Sequence, residues 1–195
     1  MIDAIVDLSH WQTPVDFVAL RNSGILAVIL KATQGSSWVD ATFIQKLLAA
    51  HSAGLLLGAY HFADATPPVA QVDNFLTHAS GIQFLATDFE ANGMGGTVST
   101  AQAAEIVARI HSARGRTPTV YINKYGPSGN DAGLPNSILS RCDLWVAKYT
   151  TSAVLRPTDL PPGWTNWRLW QHVDAPLDRS RFNGTADELK TYWDS

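Results

Sequence analysis

The feature that most constrains this chain is a change of rhythm about two thirds of the way along it. Up to residue 141, strand-like and helix-like segments alternate. Strand patterns fall at 2–7, 25–31, 55–62, 84–90 and 119–123. Between and after them come helical patterns at 15–22, entered after Pro14, and at 40–51, ending near Gly54. Three more follow at 68–79, with proline in the first turn, at 100–113 and at 135–141. The helix at 100–113 opens on a capping box, Ser99 with Gln102, and stops at Gly115. Such alternation predicts a parallel sheet with crossover helices. The last third differs. Strand patterns recur at 144–149, 168–172 and 177–179, but the gap 150–167 has no helical period. The gap 173–176 is too short for a parallel crossover, so the last two strands should pair antiparallel. A terminal helix at 185–193 carries a second capping box, Thr185 with Glu188. A complete (β/α)₈ barrel takes about 250 residues. This chain has 195, and the helices missing from its last third account for the deficit. The prediction is an α/β fold: an irregular TIM-like (β/α) barrel of about eight strands. Five helices belong to its first part and an antiparallel meander lies near the C-terminus.

The stretch Phe84-Leu85-Ala86-Thr87-Asp88-Phe89-Glu90 puts two acids at the end of an apolar strand. Side chains alternate across a strand, so Asp88 and Glu90 share a face, with Cβ atoms roughly 7 Å apart. Acids in that setting are costly unless paired, hydrogen-bonded or at work. Taken alone, the pair fits a structural role as well as a catalytic one. The glycine-rich segment Ala91-Asn92-Gly93-Met94-Gly95-Gly96 should leave space above the strand end. In barrels of this type the chemistry sits at the carboxyl ends of the strands. Here those ends read Asp7, Lys31, His61, Glu90, Asn123, Lys148-Tyr149 and Gln171-His172, and Asp178 begins the returning strand at the same rim. So many polar groups on one face favour catalysis. Aromatic residues also cluster beside polar ones, as in His10-Trp11-Gln12, Tyr60-His61-Phe62 and 164–170. Such clusters suit sugar rings, which have an apolar face and a polar rim, although any single ring fits a core equally well.

Composition narrows the partners. The net charge is −3 and the 14 lysines and arginines are scattered, which disfavours nucleic acid. No stretch approaches the roughly 18 apolar residues of a membrane span. Membrane insertion is therefore not expected, and a monomer is. Cys142 is alone, which excludes an internal disulfide and suggests a buried, inert thiol. The N-terminus has no basic segment followed by an apolar one, so no signal peptide is visible.

Six motifs in order then carry a resemblance. They are Asp7-Leu8-Ser9-His10-Trp11-Gln12, Lys31-Ala32-Thr33-Gln34-Gly35, Gly58-Ala59-Tyr60-His61-Phe62, Asp88-Phe89-Glu90, Leu144-Trp145-Val146-Ala147-Lys148-Tyr149 and Trp170-Gln171. Together, over 2–184, the chain resembles glycoside hydrolase family 25, the Chalaropsis-type lysozymes or N-acetylmuramidases, which include many phage endolysins. The resemblance implies an irregular barrel with five early helices and one catalytic domain over 1–195. It implies bacterial peptidoglycan as substrate, cut at the β-1,4 bond between N-acetylmuramic acid and N-acetylglucosamine. It implies catalytic carboxylates at Asp7, Asp88, Glu90 and Asp178, with Glu90 as proton donor and Asp88 assisting the sugar's acetamido group. The chain departs from the family pattern at Gln34, where glutamate is usual, at His172, where an aromatic is usual, and in Asp178-Arg179-Ser180. Many members also carry wall-binding repeats, and none is visible here.

Glycoside hydrolysis needs an acid for the leaving oxygen and a group that meets positive charge at the anomeric carbon. Carboxyl groups crowded on one rim cannot all ionise without cost, so at least one pKa should rise, with Lys31 offsetting part of the charge. The second role is open to a protein carboxylate or to the substrate's own acetamido group; the resemblance favours the latter. Tyr60, Tyr121, Tyr149, Trp170 and Gln171 are candidates for holding the sugars, with scaffolding as the competing role for each. No cofactor and no metal are expected. Two other classes compete. A metal-dependent deacetylase or amidase would draw on His10, His61, His172 and Asp7, but no His-x-His or His-Glu-x-x-His spacing exists. A non-catalytic glycan-binding barrel would not need four acids. Action on the cell wall requires exit from the cytoplasm. Release of an endolysin through a holin would provide that, and so would excision from a longer exported protein.

Overall fold

Residues 1–91, 95–127 and 134–194 are described by a computed structural model of the chain. The elements in order are β1 (Ile2–Leu8), α1 (Phe17–Asn22), β2 (Ala27–Gln34), β3 (Trp38–Val39) and α2 (Phe43–Ser52). Next come β4 (Leu56–Phe62), α3 (Pro68–His78), β5 (Phe84–Asp88), α4 (Thr100–Arg114) and β6 (Thr119–Asn123). The chain ends with β7 (Leu144–Ala147), β8 (Leu169–Val173), β9 (Asp178–Phe182) and α5 (Ala186–Asp194). The strands lie in the order β1-β9-β8-β7-β6-β5-β4-β2, and a β1–β2 pairing closes them into an eight-stranded barrel. Every pair in the barrel is parallel except those of β9, which runs antiparallel to both β8 and β1. This is the expected meander. Its cause is the short connection 174–177, which cannot cross the barrel. The two-residue β3 folds back on β2 outside the barrel and has no counterpart in the sequence reading.

Helix boundaries follow their caps. Ser99 and Gln102 form the reciprocal box that starts α4, and Gly115 ends it in the left-handed region at φ 70°. At α5 the Thr185 N–H donates to Glu188 Oε2 (2.7 Å) and the Glu188 N–H to Thr185 Oγ1 (3.2 Å). Two expectations shift. The helix expected from residue 40 begins at Phe43. Asp40 stands before it, and its Oδ1 accepts from the Thr42 N–H (2.8 Å) and hydroxyl (2.7 Å). The short helix expected at 135–141 is instead two 3₁₀ turns, Leu134–Asn136 and Ile138–Arg141. There the Ser137 hydroxyl donates to the Leu134 carbonyl (2.9 Å) and the Ser140 hydroxyl to that of Ser137 (3.0 Å). Serine hydroxyls that take backbone carbonyls in this way compete with α-helical bonding.

The barrel strands are buried on both faces, so each presents one set of side chains to the lumen and the other to the helices. Val6, Leu8, Val28, Leu30, Leu85, Val120, Ile122, Val146 and Trp170 pack outward with the helices. Ile5, Ala27, Ile29, Phe84, Ala86, Leu169 and Phe182 pack inward. From below, α5 inserts Trp193 into the lumen. Its ring stacks on Phe84 with centroids 4.0 Å apart and planes at 10°, and its Nε1 donates to the Leu57 carbonyl (2.8 Å). Gly58 makes room for this plug: a Cβ there would meet Phe84 at 2.7 Å and Trp193 at 3.1 Å. Cys142 is buried as expected, and burial pushes its thiol up to about 12. Among the described residues no helix is long and apolar enough to cross a membrane.

Candidate active site

Two residues above the apolar floor, the same inward faces turn ionisable. Ile5 is followed by Asp7, Ala86 by Asp88, and Leu169 by Gln171. Alternation of side chains makes this inevitable once the strand is in phase. Asp7 lies opposite Asp178 in the β1–β9 register, and Asp88 lies beside Tyr121 in the β5–β6 register. Glu90 follows two residues after Asp88, past the last residue of β5, so the strand ends short of the expected 84–90. A cavity of about 160 Å³ opens among these groups, lined by Asp7, Tyr60, Asp88, Glu90, Tyr121, Trp145, Tyr149, Gln171 and Asp178.

Gln171 organises the cavity. Its Nε2 donates to Asp7 Oδ2 (2.9 Å), while its Oε1 accepts from the hydroxyls of Tyr121 (2.7 Å) and Tyr149 (2.8 Å). Burial raises both phenols, Tyr149 to about 12, so both keep the protons they donate. Gln12 Nε2 reaches Asp178 Oδ2 at 3.4 Å. The other oxygens of the two deepest acids, Asp7 Oδ1 and Asp88 Oδ1, are buried with no hydrogen-bond partner in the described protein. A buried carboxyl oxygen left unpartnered is costly and marks a place where a ligand can supply the bond.

All four carboxyls are pushed above the usual range, chiefly by burial. Asp178 and Glu90 raise Asp7 further. Glu90 and Asp7 raise Asp88, against the pull of Lys31. In Glu90 burial is opposed by Lys31 and reinforced by Asp178. Asp178 reaches about 6, helped by Asp174. The cluster therefore holds protons at a pH where free carboxyls have lost them, as a general acid requires.

The profile of Glycosyl hydrolases family 25 matches residues 6–179. The chain belongs to this family. It is 29% identical to Lysozyme M1 of Streptomyces globisporus, an alignment covering 94% of this chain and 69% of that protein. It is 30% identical to the N,O-diacetylmuramidase of Chalaropsis sp, covering 94% of this chain and 95% of that one. Its fold superimposes on the family GH25 lysozyme from Aspergillus fumigatus with a TM-score of 0.83 at 29% identity, over 97% of this chain and 98% of the other. The chain is thus a lysozyme-type glycoside hydrolase, a muramidase acting on the peptidoglycan of the cell wall.

Within this family 25 hydrolase, Asp7, Tyr60, Asp88, Glu90, Tyr121, Tyr149, Gln171 and Asp178 all meet at the one cavity. Trp170 does not. Gln171 faces the lumen, so its neighbour faces out, and Trp170 is fully buried against the outer shell with Nε1 donating to the Lys148 carbonyl (2.7 Å). Its expected sugar contact is corrected to a scaffolding role. Trp145 takes the inward place that sequence reasoning left unassigned, its ring edge-on to Tyr121 at 4.8 Å. Lys31 lines a neighbouring groove, where its Nζ donates to Gln34 Oε1 (2.7 Å) and lies 4.6 Å from the Phe62 ring centroid. Other expected rim groups turn away. Asn123 caps a turn at Tyr125 (2.8 Å), and Lys148 approaches Asp159 at 3.9 Å.

The three histidines considered as metal ligands sit in separate networks. His61 points out of the barrel, between the Thr33 hydroxyl (2.8 Å) and Gln71 Oε1 (3.1 Å), and burial lowers it to about 4. His10 lies on Asp40 (3.3 Å) and His172 beside Asp3 (3.2 Å). Among the described residues no group of His, Cys, Asp and Glu is arranged to hold a metal ion. Residues 92–94 of the expected glycine-rich segment lie outside the described residues. Gly95 borders the groove at φ 85°, where a Cβ would stand 2.7 Å from Asp64 Oδ2.

Proposed function

We propose that this muramidase cleaves the β-1,4 bond between N-acetylmuramic acid and N-acetylglucosamine, with Glu90 as general acid and the substrate's acetamido oxygen as nucleophile. The carrying observation is the convergence of Asp7, Asp88, Glu90 and Asp178 on one small cavity with raised pKa values. Glu90 is half-buried at the mouth, where it can reach the leaving oxygen of a sugar seated below. Protonated Glu90 gives its proton to that oxygen as the glycosidic bond breaks. The acetamido carbonyl oxygen closes on the anomeric carbon, and its N–H grows more acidic. Asp88, with an oxygen awaiting a donor, accepts that N–H and stabilises the charge developing in the transition state. Lys31 favours the ionised form of Asp88. Glu90, now a carboxylate, takes a proton from the water that reopens the ring, which restores the acid and retains the anomeric configuration.

Asp7 and Asp178 shape the other side of the cavity, with Gln171 joining Asp7 to Tyr121 and Tyr149. In this reading residues 1–195 work as one catalytic domain, as a monomer, without metal or cofactor. The test is mass spectrometry of fragments from purified peptidoglycan. Fragments ending in reducing N-acetylmuramic acid are expected, and their yield should be unchanged after treatment with a strong chelator. Release of acetate or of free peptides in place of new reducing ends would overturn the assignment. A covalent glycosyl adduct on Asp88, trapped with a slow fluorinated substrate, would overturn the acetamido mechanism alone.

A further inference from the structure

Strand β2 breaks its own rhythm at the end that carries Lys31. Val28, Leu30 and Ala32 pack outward with the helices, and Ile29 packs inward. Regular alternation would send Lys31 and Thr33 inward and Gln34 outward. The pairing with β4 slips at this point: Lys31 lies opposite Tyr60, and Thr33 lies opposite His61, the very next residue. Ala32 is thus the extra residue of a β-bulge, a device that re-aims side chains beside active sites. After it Thr33 faces out, where its hydroxyl meets His61 Nδ1 (2.8 Å). Gln34 then shares the face of Lys31, and the Lys31 Nζ donates to Gln34 Oε1 at 2.7 Å.

Lys31 is 8% exposed, and the groups that hold its ammonium are neutral. Besides the Gln34 amide, the Nζ lies 4.6 Å from the Phe62 ring centroid and 5.2 Å from that of Trp38. It forms no ion pair among the described residues. An amide oxygen and ring faces steady a cation without cancelling its charge.

That charge acts on the acids of the cavity. Phe62, against whose ring the ammonium rests, is the register partner of Asp88. Asp88 and Glu90 beyond β5, with Asp40 ahead of α2, hold Lys31 charged against its burial. In return Lys31 draws Asp88 and Glu90 down. Glu90 and Asp7 push Asp88 up, and Asp178 pushes Glu90 up. His10 and Asp64 border the same groove as Lys31. The phenols of Tyr60 and Tyr121 complete the cavity wall, and burial keeps both protonated. Among the described residues Lys31 is the one cation that acts on both Asp88 and Glu90.

We propose that Gln34 is a positioning residue that fixes the Lys31 ammonium beside Asp88 and Glu90 without neutralising it, and so sets the pH range in which the enzyme works. The inference rests on the roles proposed above for the two acids. Those roles need Glu90 protonated and Asp88 ionised together, so the pair must have lost one proton and kept the other. The two limbs of the pH profile are the two ionisations of the pair. Gln34→Glu would turn the neutral hydrogen bond into an ion pair and cancel much of the field of Lys31. Both ionisations would then move to higher pH.

The test is the pH profile of kcat/KM on purified peptidoglycan, read as new reducing ends, since kcat/KM reports the groups of the free enzyme. Wild type, Gln34→Glu, Gln34→Met and Lys31→Met are compared, each with a thermal melt to check folding. In Gln34→Glu both limbs should rise by about one unit, the order expected of one charge several ångströms away at an effective dielectric of about 20. Lys31→Met, which deletes the charge, should move them the same way. Gln34→Met removes the hydrogen bond but no charge, and should move them far less. Gln34→Asp takes the place of Gln34→Glu if the longer acid does not fold. Limbs that stay in place in the folded acidic variant or in Lys31→Met would overturn the role of Gln34 and leave the muramidase reading standing. A shift in Gln34→Met as large as in Gln34→Glu would overturn it as well, because a lost contact would then account for both. A wild-type enzyme that releases no reducing ends at any pH would sink both readings.

Discussion

The barrel lumen has two storeys built on the same strands, and they obey opposite rules. The lower one is apolar and closed. Ile5, Ile29, Phe84, Leu169 and Phe182 meet there around the Trp193 plug, with every ring in contact with another side chain. The upper one, two residues further along, gathers Asp7, Asp88, Gln171 and Asp178 around a cavity. Carboxyl oxygens are left without partners there, and every carboxyl is raised above its ordinary pKa. A single step along a strand separates a group that stabilises the fold from one that strains it. The upper storey can carry buried like charges because the lower one supplies packing that does not depend on them. Strain of this kind is common where chemistry is done.

The largest effect should come from breaking the upper storey at its acid. Glu90→Gln keeps shape and removes the proton, so activity on cell walls should fall by about 10²–10⁴-fold. Stability should hold or rise slightly, because a raised carboxyl is removed. Turnover assays beside thermal melts check both halves; a folded variant with more than about a tenth of wild-type turnover would remove Glu90 from the acid role.

The mirror experiment strikes the lower storey. Trp193→Ala removes the stacked plug and should cost about 3–5 kcal/mol of stability. Activity per folded molecule should be little changed at low temperature. Denaturant titration gives the first quantity and assay of the folded fraction the second. A loss of activity out of proportion to unfolding would show that the two storeys are not separable.

Asp88→Asn sharpens the comparison within the upper storey. It should lower kcat by about 10–100-fold, with a smaller change in KM, since the bond to the acetamido N–H strengthens only as the ring closes. Normal turnover in a folded Asp88→Asn enzyme would make the residue structural.

The smallest effect is a pH slope. Asp178 titrates at about 6 in the folded chain, against about 3.9 for a free aspartate. Between those values the folded state keeps a proton that the unfolded chain has released. The Asp178 contribution to stability therefore falls as pH rises from about 4 through about 6, the direction that Asp7, Asp88 and Glu90 also impose, while His61, lowered to about 4, works the other way over the same window. The measurement is the difference in melting temperature between Asp178→Asn and wild type, which should move in favour of Asp178→Asn as pH rises through that range. A difference that stays constant or moves the other way would contradict the raised Asp178.

Much of this was readable in the chain. Strand alternation, capping boxes and the short 173–176 connection follow from backbone geometry over a few residues. They placed Asp7, Asp88, Glu90 and Asp178 at one rim, and the antiparallel return, before any contact was known. Other features needed the closed barrel. Tryptophans in doubly buried strands carry no local mark of which face they take, so Trp170, expected at the sugars, packs outward, and Trp145, given no role by the sequence, lines the cavity. Asp40 reads as the first residue of a helix, yet it is the buried anchor of a loop 30 residues earlier, a separation that no local pattern spans. The plug of Trp193 into Gly58 and Phe84 depends on the terminal helix returning to the first half of the barrel. What the sequence determined by itself was the periodicity of each strand, and hence which acids could share a face. What only the tertiary structure decided was which face closes on the lumen and which distant rings meet there, because those contacts exist only once β1 has paired with both β2 and β9.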